Sequence, residues 1–293
     1  MVKRINVTIN SKETMNKDQL DNLFDLKNKN IVVTGALGLL GKMHCEAIAK
    51  YGGNPIVVDI KLKEAKKFSE ELNNLYGVNS RGFSVDITNE DEIEQNLIEI
   101  KNSFFKLDGL INNAAINPKM EDTKSKNFSR LENFSIDNWM KDLSVGLTGA
   151  FLCSKHYGSF ISENSSGGSI INISSDLGLI APDQRLYKKE NIESHLQDVK
   201  PVTYSVIKSG LIGLTRYLST YWAENNVRCN AICPGGVENS QPLEFIEKVS
   251  SRIPLNRLAN KYEYQSTIVW MLADSSSYLN GAVISVDGGR TAW

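Results

Sequence analysis

The run Lys29 to Gly41, KNIVVTGALGLLG, constrains the fold more than any other stretch of the chain. Ile31, Val32 and Val33 are β-branched and apolar, which suits a short buried strand. Thr34 opens a turn in which Gly35, Gly38 and Gly41 leave no Cβ to hold a ligand off the backbone, and a helix pattern follows from about Lys42 to Lys50. A helix N-terminus presents unpaired N–H groups and a partial positive charge, so strand, glycine turn and helix together form a cradle for phosphate.

Such a turn is specific only in context. Here a second apolar strand, Pro55 to Asp59, ends in an acid 24 residues after Gly35 and 18 after Gly41. A carboxylate at that strand end accepts hydrogen bonds from both hydroxyls of an adenosine ribose and repels a 2′-phosphate, so the expected ligand is NAD(H) rather than NADP(H). The plain alternative is a structural strand-turn-helix with a solvated Asp59.

A chain of 293 residues fits one or two domains and can bury about three quarters of its unfolded surface. Its net charge of -1 gives no support for a nucleic-acid or membrane partner. No apolar run approaches the roughly 18 residues of a membrane span, and Lys3 and Arg4 have no hydrophobic stretch behind them, so a cytoplasmic location is expected. Cys45, Cys153, Cys229 and Cys233 are scattered without zinc spacing and read as reduced core thiols. His44, His156 and His195 form no cluster with carboxylates at ligand spacing, so no metal is expected.

Residues 1–28 read as a lead-in, mobile at first, with Leu20, Leu23, Phe24 and Leu26 at helical spacing. From 29 to 293 strands and helices alternate, which predicts one α/β domain built on a doubly wound parallel sheet with helices on both faces. Further strands are expected at Gly82 to Val85, Gly109 to Ile111, Ser169 to Ile173, Val227 to Ile232 and Ala282 to Val286. Thr88 is the expected N-cap of a helix from about Glu90, and two long helices are expected at 136–161 and 203–224. Trp139, Leu143, Leu147, Ala150, Phe151 and Ser154 mark one face of the first of these. After the fourth strand, Asn112-Asn113-Ala114-Ala115 offers small residues against which a nicotinamide ribose can lie.

The sharpest local signal for chemistry is Tyr204-Ser205-Val206-Ile207-Lys208. On a helix, positions i and i+4 share a face, so the Lys208 ammonium would sit beside the Tyr204 phenol. A tyrosine with its ordinary pKa near 10 is a poor base at neutral pH, and a neighbouring cation favours the phenolate. Tyr204 is then a candidate acid/base for the proton of an alcohol whose hydride moves to a cofactor. Ser175 follows the fifth strand, where ligands bind in open α/β sheets, and its hydroxyl could hold a substrate oxygen.

Assembled in order, TGALGLLG, Asp59, Asp86-Ile87, NNAA at 112–115, INISS at 171–175, YSVIK at 204–208, PGG at 234–236 and VDGG at 286–289 resemble the short-chain dehydrogenase/reductase family over residues 25–293. The resemblance implies a Rossmann-like, NAD-dependent oxidoreductase in which Tyr204 is the acid/base, Ser175 orients the carbonyl or hydroxyl and Lys208 also grips the nicotinamide ribose. It extends the cofactor site from Gly35, Gly38, Gly41 and Asp59 to Leu39, Leu40, Asp86 and Ile87, then to Asn113 and Ala114, and finally to Gly235 and Val237, the last against the carboxamide. It also implies a homodimer or homotetramer formed through the two long helices.

Three departures from the family pattern stand out. The turn is G-x-x-G-x-x-G, typical of the nucleotide-sugar epimerase branch, with Leu39 where a glycine is usual. In the segment Val145-Gly146-Leu147-Thr148-Gly149, Gly146 replaces the asparagine that anchors a water near the catalytic lysine. Ser175 and Tyr204 lie 29 residues apart instead of about a dozen, and the inserted segment, 176–201, is expected to fold over the substrate side. Its Arg185 and Lys188, with Lys189 and Lys119, could meet a phosphate or carboxylate, or be solvated surface charges. The insertion and the GGRTAW ending are similar to oxidoreductases encoded with bacterial flagellin and surface-sugar modification. The expectation is an NAD(H)-dependent oxidoreductase interconverting a secondary alcohol and a ketone on a polyol, sugar or sugar phosphate. A nucleotide-binding relative with feeble catalysis that acts with a partner enzyme, and an NAD-dependent sugar epimerase or dehydratase, are the alternatives.

Overall fold

The computed structural model describes residues 23–116 and 129–293. Leu20, Lys119, Lys124 and Lys126 lie outside them; within them, 23–28 form turns and not helix, and Leu26 is fully buried.

Seven strands, β1 Asn30–Thr34, β2 Asn54–Asp59, β3 Arg81–Ser84, β4 Gly109–Asn112, β5 Gly168–Ile173, β6 Val227–Pro234 and β7 Val283–Val286, form one sheet in the order β3-β2-β1-β4-β5-β6-β7. Every pairing is parallel, and the central one sets Ile31, Val32 and Val33 against Gly109, Leu110 and Ile111. The winding direction reverses between β1 and β4, so the connections leaving their C-terminal ends diverge and open a crevice there.

Alternation along the strands feeds two cores. Ile31, Val33, Val57 and Ile111 point into one layer, packed on Cys45 and Ile48 of helix α1 (Leu39–Lys50), Phe68 and Leu72 of α2 (Leu62–Tyr76), and Ile268 of α7 (Gln265–Leu272). Val32, Ile56, Val58 and Leu110 point into the other, against Ile93 and Ile100 of α3 (Glu90–Ser103), Cys153 and Tyr157 of α4 (136–162), and Leu218 of α5 (Val202–Tyr221). The fold is a doubly wound, Rossmann-like parallel sheet. Strands buried on both faces are why β1 and β2 read as continuous aliphatic runs.

Three local expectations change, and the insertion is found to be ordered. Helix α1 begins at Leu39, not Lys42, because Gly38 occupies the N-cap, and this brings Leu39 and Leu40 into the first turn. The N-cap of α3 is Asn89, whose side chain accepts the Asp91 N–H at 3.1 Å; Thr88 instead donates its N–H and hydroxyl to Asp86 at 2.9 and 2.7 Å. Helix α4 contains two π-turns, Ser144–Thr148 and Ser154–Gly158. Each adds a residue to a turn, so a face counted at 3.6 residues drifts out of phase and Phe151 is half exposed. Finally, the insertion is ordered by three short 3₁₀ turns, and its Leu186 is buried against Val249, Ile253 and Leu258 beside helix α6 (Leu243–Ser250).

Candidate active site

A cleft of about 1080 Å³ runs along the C-terminal ends of the strands, from Gly35, Gly38 and Asp59 at one end to Ser175, Tyr204 and Lys208 at the other. At the first end the turn is closed by sterics. Gly35 has φ +60°, and a Cβ on it would lie 2.7 Å from the Ala114 Cα; a Cβ on Gly41 would lie 2.3 Å from the Gly35 carbonyl oxygen. Gly41 thus packs helix against turn behind the cleft, whereas Gly35, Gly38, Leu39 and Leu40 line it. The N-terminus of α1 has no side-chain cap and no acid in its first turn, which leaves its N–H groups for an anion.

Thr34 and Asn113 hold this turn to the end of β4. The Thr34 hydroxyl accepts the N–H groups of Asn113 and Ala114, both at 3.1 Å, and the Asn113 amide donates to the carbonyls of Thr34 and Gly35, both at 3.0 Å. Asp59 accepts the Leu37 N–H with one carboxylate oxygen at 3.0 Å, so it positions the turn as well as facing the cleft. Asp86, Ile87, Asn113, Ala114, Gly235 and Val237 also line the cleft.

At the other end, β5 and α5 are stitched together. Lys208 donates from Nζ to the Ile173 carbonyl at 2.8 Å, and the Ser174 hydroxyl donates to the Lys208 carbonyl at 2.7 Å. The Lys208 ammonium stands 5.7 Å from the centroid of the Tyr204 ring, over its face. Burial holds Tyr204 above its ordinary pKa and the charge of Asp176 adds to the rise, while a hydrogen bond with Ser175 and the charge of Arg290 pull it down. Lys208 is itself held down to about 8, by burial and by the charge of Lys200.

Several residues here escaped the sequence reading. The Ser175 hydroxyl donates to Asp176 at 2.8 Å, and Asp176 is held by Arg290 at 2.8 Å in an ion pair with both side chains buried. Lys200 sets its ammonium 3.8 Å from the Tyr204 ring centroid, on the cleft wall. Beneath the site, Asn112 donates to Asn172 at 2.8 Å and Asn172 to Thr215 at 2.8 Å. The one available signal was spacing, since Lys200 precedes Tyr204 by the same four residues that separate it from Lys208.

Arg185 does not reach the cleft. Its guanidinium is exposed and holds Asp183 through two bonds at 2.8 and 2.9 Å, whereas Lys188 does line the cleft. His156 also departs from expectation: its ring lies 2.8 Å from Glu90 and 3.8 Å from Glu94, because packing of α3 on α4 joins residues distant in sequence. Lys155 already occupies the same Glu90 oxygen at 2.5 Å. All four cysteines are reduced and buried.

A family model described as enoyl-(acyl carrier protein) reductase matches residues 35–291. This chain belongs to the short-chain dehydrogenase/reductase family. It is 32% identical to the 3-oxoacyl-acyl-carrier-protein reductase FabG of Aquifex aeolicus over 90% of this chain and 98% of that one. It is 27% identical to the post-translational flagellin modification protein A of Campylobacter coli, over 90% and 98%. The crystal structure of gox2181 shares the fold, with a TM-score of 0.81 at 23% identity over 93% of this chain and 99% of that one. The protein is therefore an oxidoreductase of a family that typically uses a nicotinamide cofactor. No helix of the described residues is long and apolar enough to cross a membrane.

Proposed function

We propose that this short-chain dehydrogenase/reductase uses NAD(H) to interconvert a secondary alcohol and a ketone on a polyol, sugar or sugar-phosphate-like substrate. The observation that carries the reading is that one cleft collects Ser175, Tyr204 and Lys208 at the end opposite the glycine turn and Asp59. The chain's residues suit a dinucleotide. The uncapped N-terminus of α1 would hold the pyrophosphate, Asp59 the adenosine ribose with the carboxylate oxygen not engaged by Leu37, and Lys208 the second ribose. Asp59 also favours NAD, since a 2′-phosphate there would meet a carboxylate.

When bound, the nicotinamide supplies the hydride acceptor or donor and, in its oxidised form, a positive charge that opposes the effect of burial on Tyr204. Tyr204 takes the hydroxyl proton in oxidation and returns one to the carbonyl oxygen in reduction. Ser175 orients that oxygen. Asp176, clamped by Arg290, holds the Ser175 side chain by accepting a hydrogen bond from its hydroxyl at 2.8 Å. Exposed apolar side chains on the two long helices, among them Met140 and Tyr217, support association of copies through those helices.

The feebly catalytic alternative draws on Gly146. A Cβ there would lie 2.7 Å from the Ile207 side chain, so the missing asparagine cannot be accommodated without moving Ile207. Screening polyols, sugars and sugar phosphates with NAD⁺ at 340 nm separates the readings: substrate-dependent NADH formation is expected, and tight NADH binding with no turnover on any of them would favour the alternative.

A further inference from the structure

The insertion does more than cover the cleft, because it supplies part of the wall. Leu186 and Tyr187 line the cleft together with Phe245 and Val249 of α6 and Leu258 beyond it. Leu186, Val249 and Leu258 are buried, and the half-buried Tyr187 and Phe245 rings pack against them, with centroids 5.8 Å apart and planes tilted by 43°. Two aromatic rings on an aliphatic base thus form one side of the cleft.

Tyr187 is held in place from both directions. It ends the 3₁₀ turn Gln184–Tyr187, whose cap Asp183 accepts the Arg185 N–H at 3.1 Å and also pairs with Arg252, just past α6, at 3.5 Å. On the other side the buried Leu186 anchors the turn. The Tyr187 hydroxyl, by contrast, makes no hydrogen bond with any of the described residues. Burial pushes its pKa up to about 12; Arg290 opposes the rise, and Tyr204 and Asp176 add to it, so the groups at the Tyr204 end of the cleft all act on this phenol. It stays protonated at neutral pH and offers a donor and an acceptor that the chain leaves unused.

Such a wall discriminates by shape. An open-chain polyol turns hydroxyls to every side and would strand some of them against Leu186 and Phe245. A ring presents a C–H face to aromatic carbon and keeps its hydroxyls at the edge, where a phenol can meet one. We propose that Tyr187 and Phe245 form the specificity wall of the cleft, and that the substrate is a cyclic polyol or ring-form sugar whose C–H face lies on these rings while the Tyr187 hydroxyl bonds the hydroxyl next to the carbon that Tyr204 serves. This rests on the cleft being the oxidoreductase site, and it narrows the substrate class of that site to rings.

Calorimetric titration of cis- and trans-1,2-cyclohexanediol, cyclohexanol and 3,4-hexanediol tests it, because cyclohexanol lacks the second hydroxyl and the hexanediol lacks the ring. Each is titrated into the protein alone and saturated with NADH, for the wild type, Tyr187→Phe and Phe245→Leu. At least one cyclic diol is expected to bind roughly tenfold or more tightly than either cyclohexanol or 3,4-hexanediol. Tyr187→Phe should bring that diol within about threefold of cyclohexanol, and Phe245→Leu should weaken the diol and cyclohexanol together, by about threefold to tenfold. The wild-type comparisons stand whether or not a variant folds. Cyclic diols bound no more tightly than cyclohexanol, an open chain bound as well as the rings, no binding of any probe, a diol preference that survives Tyr187→Phe, or rings bound unchanged by Phe245→Leu overturns the proposal. The expected pattern in a protein that fails to bind NADH would overturn the cofactor reading and leave this one standing; NADH binding with no preference among the probes does the reverse.

Discussion

Tyr204 is under opposing demands. Burial in the cleft disfavours its phenolate, while the acid/base role proposed for it requires a proton that moves readily. Replacing it with phenylalanine removes the proton carrier and little volume. Tyr204→Phe is expected to lower kcat/KM by roughly a hundredfold to ten-thousandfold while NADH binds within about threefold of wild type. Turnover near the wild-type rate would take Tyr204 out of the mechanism. Lys200 carries a measurable cost in the fold. Its pKa is depressed from the ordinary 10.5 to about 8, so between those values the unfolded chain binds more protons than the folded one, and stability rises with pH. Melting curves from pH 7 to 10 should therefore show wild type gaining on Lys200→Met as the solution becomes more alkaline. Parallel pH dependence in the two proteins would show that the ammonium is not buried at a cost.

At the scale of elements, the inserted segment and the first π-turn of α4 invite separate tests. Leu186 is the apolar anchor of the insertion, and its truncation leaves a hole among Val249, Ile253 and Leu258. Leu186→Ala should cost on the order of 2–4 kcal/mol and speed limited proteolysis between residues 188 and 199. Unchanged cleavage there would show that the segment is held by its polar contacts instead, such as the Gln197 amide bonded to the Lys189 and Ile192 carbonyls at 2.9 and 2.6 Å. For the π-turn, Gly146→Ala introduces a methyl 2.7 Å from Ile207 and should destabilise by about 1–3 kcal/mol. In an Ile207→Ala background the sign should reverse, because alanine exceeds glycine in helix propensity by about 1 kcal/mol. Denaturant titration of the four proteins of this cycle checks it, and additivity would mean that Ile207 is not what selects glycine at 146.

For the whole molecule, the cleft proposed to take the cofactor spans both sides of the winding reversal, from the β1 and β2 ends to β5, β6 and α5. A dinucleotide bound there contacts both halves of the sheet and should stabilise them together. At a hundred times its dissociation constant, NADH is expected to add about 2.7 kcal/mol, read as a rise in melting temperature. The same concentration of NADPH should give a smaller rise, and Asp59→Ala should narrow the gap between the two. Equal shifts in wild type would show that Asp59 does not choose the cofactor.

The sequence by itself determined the parallel sheet, the glycine turn after β1 and the Tyr204–Lys208 pair. These are local: aliphatic strands, glycines whose absent Cβ atoms can be counted, and an i,i+4 spacing all act within a few residues. It also located the insertion, since a gap of 29 residues is a matter of counting. Only the tertiary structure decided which charges in that insertion face the cleft. Arg185 finds Asp183 two residues away and stays outside, while Lys200, with no motif to mark it, is carried onto the Tyr204 ring where the insertion meets α5. Likewise the bond of Arg290 to Asp176 closes 114 residues of chain, and no periodicity encodes such a contact. Side-chain direction at a cleft is set by packing between distant segments, and that is fixed only once the whole chain has folded.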